Sequence, residues 1–256
     1  MSAIETYKAK KLKEKLAPKS VNNHLTVLRK ALNLAAEWGE LGHAPRVRAL
    51  RVEPRDVLFL TFEEEPRFIA AASDEWRPMV HTALKTGLRL GELLALKWED
   101  VDLVSGKIVV RRTLWRNTEG SPKGGRSREV ALGDDAVAVL KAHRHLRGPY
   151  VFCDEKGTRL SHRMVSNLVP RSCKKAGLAK RLTMHDLRHS FASHLVMRGV
   201  TLKAVQELLG HTSIDMTLRY AHLSPDVKRD AVKLLDRRAS SPSPSPKHGD
   251  MLETGA

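Results

Sequence analysis

Several side chains along the chain could together do polar chemistry on an anion. Arg89 lies in Thr86-Gly-Leu-Arg-Leu-Gly-Glu92, and Lys123 in Pro122-Lys-Gly-Gly-Arg-Ser-Arg-Glu-Val-Ala-Leu132. His185, Arg188 and His189 lie in His185-Asp-Leu-Arg-His-Ser-Phe-Ala-Ser193. His211 lies in Leu208-Leu-Gly-His-Thr-Ser213 and Tyr220 in Leu218-Arg-Tyr-Ala-His222. A guanidinium is a planar fork that can grip two phosphate oxygens at once. Imidazoles exchange protons near neutrality. A phenol, with an ordinary pKa of about 10, needs help losing its proton before it can act as a nucleophile. Taken singly, each residue has a plain structural reading. Arg89 fits a surface arginine and Lys123 a solvated loop lysine. His211 fits a helix cap or a buried hydrogen-bonded side chain, and Tyr220 a core residue. Only their order and local contexts, taken together, change that balance.

The composition agrees with an anionic partner. Lys and Arg number 45 against 29 acidic residues, a formal net charge of +16. A charge that large resists self-association and attracts polyanions, of which nucleic acid comes first and an anionic membrane surface second. Hydrophobic residues are 41% of the 256, so a core of catalytic size is available. The two cysteines, Cys153 and Cys173, form no CxxC pair, which argues against a zinc finger or a disulfide framework and for a reducing compartment. No apolar run approaches a membrane span, and the charged N-terminus carries no secretory signal. The expected location is cytoplasmic.

The elements that must position these groups can be read from periodicity. Val21, Leu25, Leu28, Leu32, Ala35 and Ala36 share one face of a helix over 20–38, opened by Ser20 and closed by Gly39. Prolines at 45 and 54 bracket a basic stretch that reads as a linker. Thr61 and Glu64 form a capping box that opens a helix. Further helices are expected over 76–86, 90–98, 134–146, 161–176, 185–198, 201–209, 213–221 and 225–238, the last opened by Ser224-Pro225. Strands over 107–112 and 128–132 flank a Gly/Pro turn, making an antiparallel hairpin with Lys123 at its tip. The Ser/Pro-rich tail reads as disordered. The fold class is α+β, mainly α, with one small antiparallel sheet.

Over residues 56–238 these motifs, in this order, resemble the tyrosine recombinase (phage integrase) family. The compact L-G-H and R-Y-A-H motifs look more like integrases than like type IB topoisomerases. The resemblance implies a site-specific DNA recombinase that cleaves and rejoins strands through a 3′-phosphotyrosyl intermediate, with no cofactor, metal or ATP. It makes Arg89 and Arg188 a clamp on the scissile phosphate, with His211 adding a donor. It makes Lys123 the acid for the leaving 5′ oxygen, His185 the base and Tyr220 the nucleophile. Glu92, one turn beyond Arg89, is expected to fix that arginine's geometry, the alternative being a surface ion pair. Arg126, Arg128, His189 and Arg219 are expected to contact DNA, with a core position as the alternative for His189 and either expected ahead of a catalytic role. The partner implied is double-stranded DNA bound by a homotetramer, with accessory DNA-bending or directionality factors, and the source is bacterial or phage-encoded.

By the same resemblance, residues 1–53 form a partial helical core-binding (SAM-like) domain, 54–238 the catalytic domain and 239–256 the disordered tail. The N-N-H-L and A-A-E-W-G runs fit the last part of such a bundle, whose earlier helices and any arm-type domain are expected to be missing. A weak, salt-sensitive grip on DNA follows. Two rival readings remain. His185 and His189, at i and i+4, mimic half a zinc site, but Arg188 between them opposes a dication and no glutamate base follows the first histidine. A non-catalytic or decayed integrase-like DNA-binding protein is the other rival.

Overall fold

The computed structural model describes residues 3–53, 56–115, 118–122, 125 and 127–225. These fall into two compact units, one within Met1–Asp56 and one within Val57–Ala256.

The first unit holds α1 (Ala3–Lys13) and α2 (Pro18–Glu37). Helix α2 starts ahead of Ser20 because Pro18, whose missing N–H costs nothing in a first turn, opens it. Val21, Leu25 and Val47 form its small buried core. The stretch expected to be a linker is pinned back onto α2. Asn22 donates to the Leu50 carbonyl and accepts its N–H (2.9 and 2.8 Å), and Arg29 donates to the Val47 carbonyl. Buried backbone that finds such partners packs rather than floats.

The second unit begins with α3 (Glu64–Ala71), opened by the expected capping box: Glu64 accepts the Thr61 N–H at 2.8 Å and Thr61 Oγ1 accepts the Glu64 N–H at 3.3 Å. Next come α4 (Arg77–Thr86), α5 (Leu90–Leu94) and a 3-10 turn at Trp98–Asp100. Strands β1 (Val101–Asp102), β2 (Lys107–Val110), β3 (Thr113–Trp115), β4 (Thr118–Gly120) and β5 (Arg128–Ala131) follow. The two strands expected to pair do so antiparallel, from Lys107↔Ala131 to Val110↔Arg128, with β1 on the other side of β2. The connection between them is no simple turn, because β3 and β4 pair within it. Three-residue strands are too short to leave a period in the sequence.

Helices α6 (Asp134–His143), α7 (His162–Val165), α8 (Leu168–Lys175), α9 (Met184–Met197), α10 (Leu202–Leu209) and α11 (Asp215–Leu218) complete the unit, with a 3-10 turn at Ala221–Leu223. The single helix expected over 161–176 is two. Pro170 has no N–H to offer the Ser166 carbonyl, so the ladder breaks between α7 and α8. The expected helix over 225–238 lies outside the described residues.

Helix α9 is buried on most of its circumference and packs on α4. Helix α9 carries residues into the site and α4 ends at it, so the site is built on rigid core. A buried network helps tie them together. Glu65 on α3 meets Lys85 Nζ at 2.5 Å and His194 Nδ1 at 3.0 Å, while His194 Nε2 meets the Leu60 carbonyl. Burial alone would raise the Glu65 pKa, but His194 and Lys85 outweigh it and hold the carboxyl at about 2.

Candidate active site

Two glycines set the frame. Gly87 ends α4 and Gly210 ends α10, both left-handed with φ of 61° and 62°. That cap leaves carbonyl oxygens at the helix ends free to take cationic donors, which the helix dipole also favours there. Arg188, only 2% exposed, donates to the Gly87 carbonyl at 2.6 Å and to the Leu209 carbonyl at 2.5 Å. Arg89, the N-cap of α5, donates to the next carbonyl, Gly210, at 3.3 Å. The two guanidiniums, a hundred residues apart in sequence, thus meet at one turn. His211 follows directly in the chain.

Glu92 holds this frame from below. Its carboxylate accepts the Arg89 N–H (2.8 Å) and Arg89 Nη1 (3.0 Å). It is also gripped by both Nη groups of Arg128 at 2.8 Å each. Burial pushes the Glu92 carboxyl upward, but the Arg128 and Arg89 contacts win and lower it. The pair with Arg89 is therefore buried, not a surface pair. Arg128, expected to contact DNA, pairs with Glu92 among the described residues. Its charge is spent on a buried carboxylate, and its side chain lies against Gly210, where an added Cβ would come within 2.7 Å of Arg128 Cδ.

Tyr220, 1% exposed, packs with Ala192, Val196, Val205 and Leu209. Burial raises its phenol to about 12, against the pull of Arg188 and Arg219. The Tyr220 hydroxyl lies 2.5 Å from His189 Nδ1. His185 meets His189 edge to face, ring centres 4.6 Å apart, and makes no hydrogen bond among the described residues. His189, one turn beyond His185 on α9, faces the phenol. Loss of solvent lowers these imidazoles, His189 and His211 half-buried and His185 at the exposed edge, with like charges adding to it. His189 falls to about 4, with His185 the next cause; His211 falls to about 4, with Arg188 and Arg89 next; His185 shifts the same way. Burial and the Arg89 charge bring Arg188 down to about 9.

His211 Nδ1 lies 2.8 Å from the hydroxyl of Thr217, which is fully buried. Thr217 escaped the sequence reading because nothing in its spacing marks it. The His189 contact had a signal, a histidine one helical turn from His185. Arg219 is exposed next to the phenol and histidines, whose proton affinities it lowers. Lys123 and Arg126 lie outside the described residues. Among the described residues, no cluster of three His, Cys, Asp or Glu side chains is arranged to hold a metal ion. Nor is any helix there long and apolar enough to cross a membrane.

Two buried or half-buried arginines, neutral imidazoles and a phenol around one helix cap form a group suited to nucleophilic displacement at a phosphodiester. Comparison with known proteins agrees. Residues 58–226 match the phage integrase family. A tyrosine recombinase XerC of Xanthomonas campestris pv. campestris (strain B100) is 33% identical over 219 residues, spanning 81% of this chain and 65% of that protein. The chain thus covers just under two thirds of that relative's length. A tyrosine recombinase of Thermosipho africanus (strain TCF52B) is 31% identical over 223 residues, 84% of this chain and 76% of that one. In fold, the chain is similar to the Tn1549 transposon integrase solved in complex with a circular intermediate DNA: TM-score 0.79, 22% identity, 90% of this chain and 84% of that one.

Proposed function

The chain belongs to the phage integrase family, and from that we propose that it is a site-specific DNA recombinase, cleaving and rejoining strands through a phosphotyrosyl bond at Tyr220. The observation that carries the proposal is the meeting of Arg89, Arg188 and His211 at the α10 cap, with the Tyr220 phenol close by on His189. A scissile phosphate there would have its developing charge met by fixed guanidiniums that need not reorganise. The Tyr220 oxygen attacks phosphorus, and the 5′ oxygen departs with a proton, for which Lys123 is our candidate acid. The bond energy stays in the phosphotyrosine, so a 5′ hydroxyl can reverse the step without ATP.

The partner we assign is double-stranded DNA, held by a homotetramer with accessory factors, in the cytoplasm of a bacterium. Arg219 and Arg126 are proposed DNA contacts. Residues 1–53 are proposed as part of a helical core-binding domain and 54–238 as the catalytic domain.

The test uses supercoiled plasmid and a pool of gapped duplexes drawn from the chromosome that carries the gene. Wild-type protein is expected to form a covalent adduct that survives denaturing gels and disappears in Tyr220→Phe. DNA binding with no adduct on any substrate would favour a non-catalytic relative instead.

A further inference from the structure

We propose that His189 is a catalytic residue, the group that takes the proton from the Tyr220 phenol as it attacks. This rests on the recombinase reading above and sharpens it. The phenol oxygen and His189 Nδ1 stand 2.5 Å apart, within reach for proton transfer. His185 touches the His189 ring and not the hydroxyl, so it reaches the phenol only through its neighbour. His189 sits on α9 between buried Arg188 and buried Ser190, so its ring is aimed from core rather than from a loop.

The direction of the hydrogen bond follows from the environment. Burial favours the neutral form of both partners, a protonated phenol and an uncharged imidazole. The phenol therefore donates, Nδ1 offers its lone pair, and the ring hydrogen sits on Nε2. The groups facing His189 are His185, Asp186 and Arg188 from its own helix, Arg219 and Tyr220 from the segment after α11, and His211 from the α10 cap. The arginines oppose a charge on the ring and Asp186 favours one. A DNA phosphate held by Arg188 and Arg89 would offset those arginines and raise the affinity of His189 for a proton.

In the step itself the phenolic O–H bond breaks and its proton passes to Nδ1, leaving an imidazolium. The electron pair stays on oxygen and becomes the new O–P bond. The P–O5′ bond breaks with its pair on the 5′ oxygen, which takes a proton from the acid. On rejoining, the incoming 5′ hydroxyl yields its proton to that acid's conjugate base, and the imidazolium returns its own to the departing phenolate.

The test measures adduct formation from pH 6 to 10, with protein in excess over whichever DNA the wild type attacks. His189→Asn can still accept the phenol's hydrogen bond but cannot keep the proton. Near neutral pH it is expected to be slower by roughly 100- to 10,000-fold, with a rate that climbs with hydroxide where the wild type is level. Added imidazole should recover part of the loss. His185→Asn should be slower without acquiring that slope. A His189→Asn rate within a few-fold of wild type and equally level, or the hydroxide slope appearing in His185→Asn alone, overturns the proposal. Should the variant fold poorly, 15N shifts of the wild-type histidines decide: hydrogen on Nε2 of His189 is expected, and hydrogen on Nδ1 overturns it. A wild type that forms no adduct counts instead against the recombinase reading.

Discussion

At the scale of single residues, Glu92 matters most to the frame and touches no reacting atom. One carboxylate, 2% exposed, holds the N-cap of α5, the Arg89 guanidinium and both forks of Arg128. Glu92→Ala would leave two guanidiniums facing a buried gap. Breaking a buried pair from one side costs about 3–5 kcal/mol. Urea unfolding of Glu92→Ala should show a loss of that order, with a smaller one for Glu92→Gln, which keeps part of the hydrogen bonding. A loss below about 1 kcal/mol for Glu92→Ala would mean that Arg128 finds another partner or that the pair is wet. Thr217 shows the same logic on the other side of the site, holding His211 from a fully buried position.

At the scale of elements, the site depends on where helices stop. Helices α4 and α10 end on left-handed glycines whose neighbouring carbonyls receive Arg188 and Arg89. A left-handed alanine costs about 1–2 kcal/mol by itself. Gly199 provides the comparison, with φ of 83° and nothing within 4 Å of an added Cβ. Gly199→Ala should therefore cost only that strain. Gly87→Ala drives a methyl into the Phe191 ring, and Gly210→Ala drives one against Arg128. Both should destabilise by more than Gly199→Ala in thermal melts. Equal losses at all three positions would mean that the neighbours yield freely.

At the scale of the whole molecule, the net charge of +16 sets how DNA would be held. Each phosphate neutralised releases counterions, so binding falls with salt. With six to ten phosphates contacted, the loss between 50 and 200 mM salt is about 1,000- to 100,000-fold. Fluorescence anisotropy with a labelled duplex should show a straight, steep log–log decline. A flat dependence would mean that the basic residues face solvent and not DNA.

The helix opened at Thr61–Glu64 was legible in the sequence because a capping box is a local signal. Membership of the phage integrase family was legible for the same reason, since its motifs are short and ordered along the chain. The tertiary structure alone decided which charge meets which. Arg128 meets Glu92, His189 meets the phenol, and the stretch after Pro45 lies on α2. Each choice compares burial against pairing between residues far apart in sequence, and no local pattern encodes that comparison.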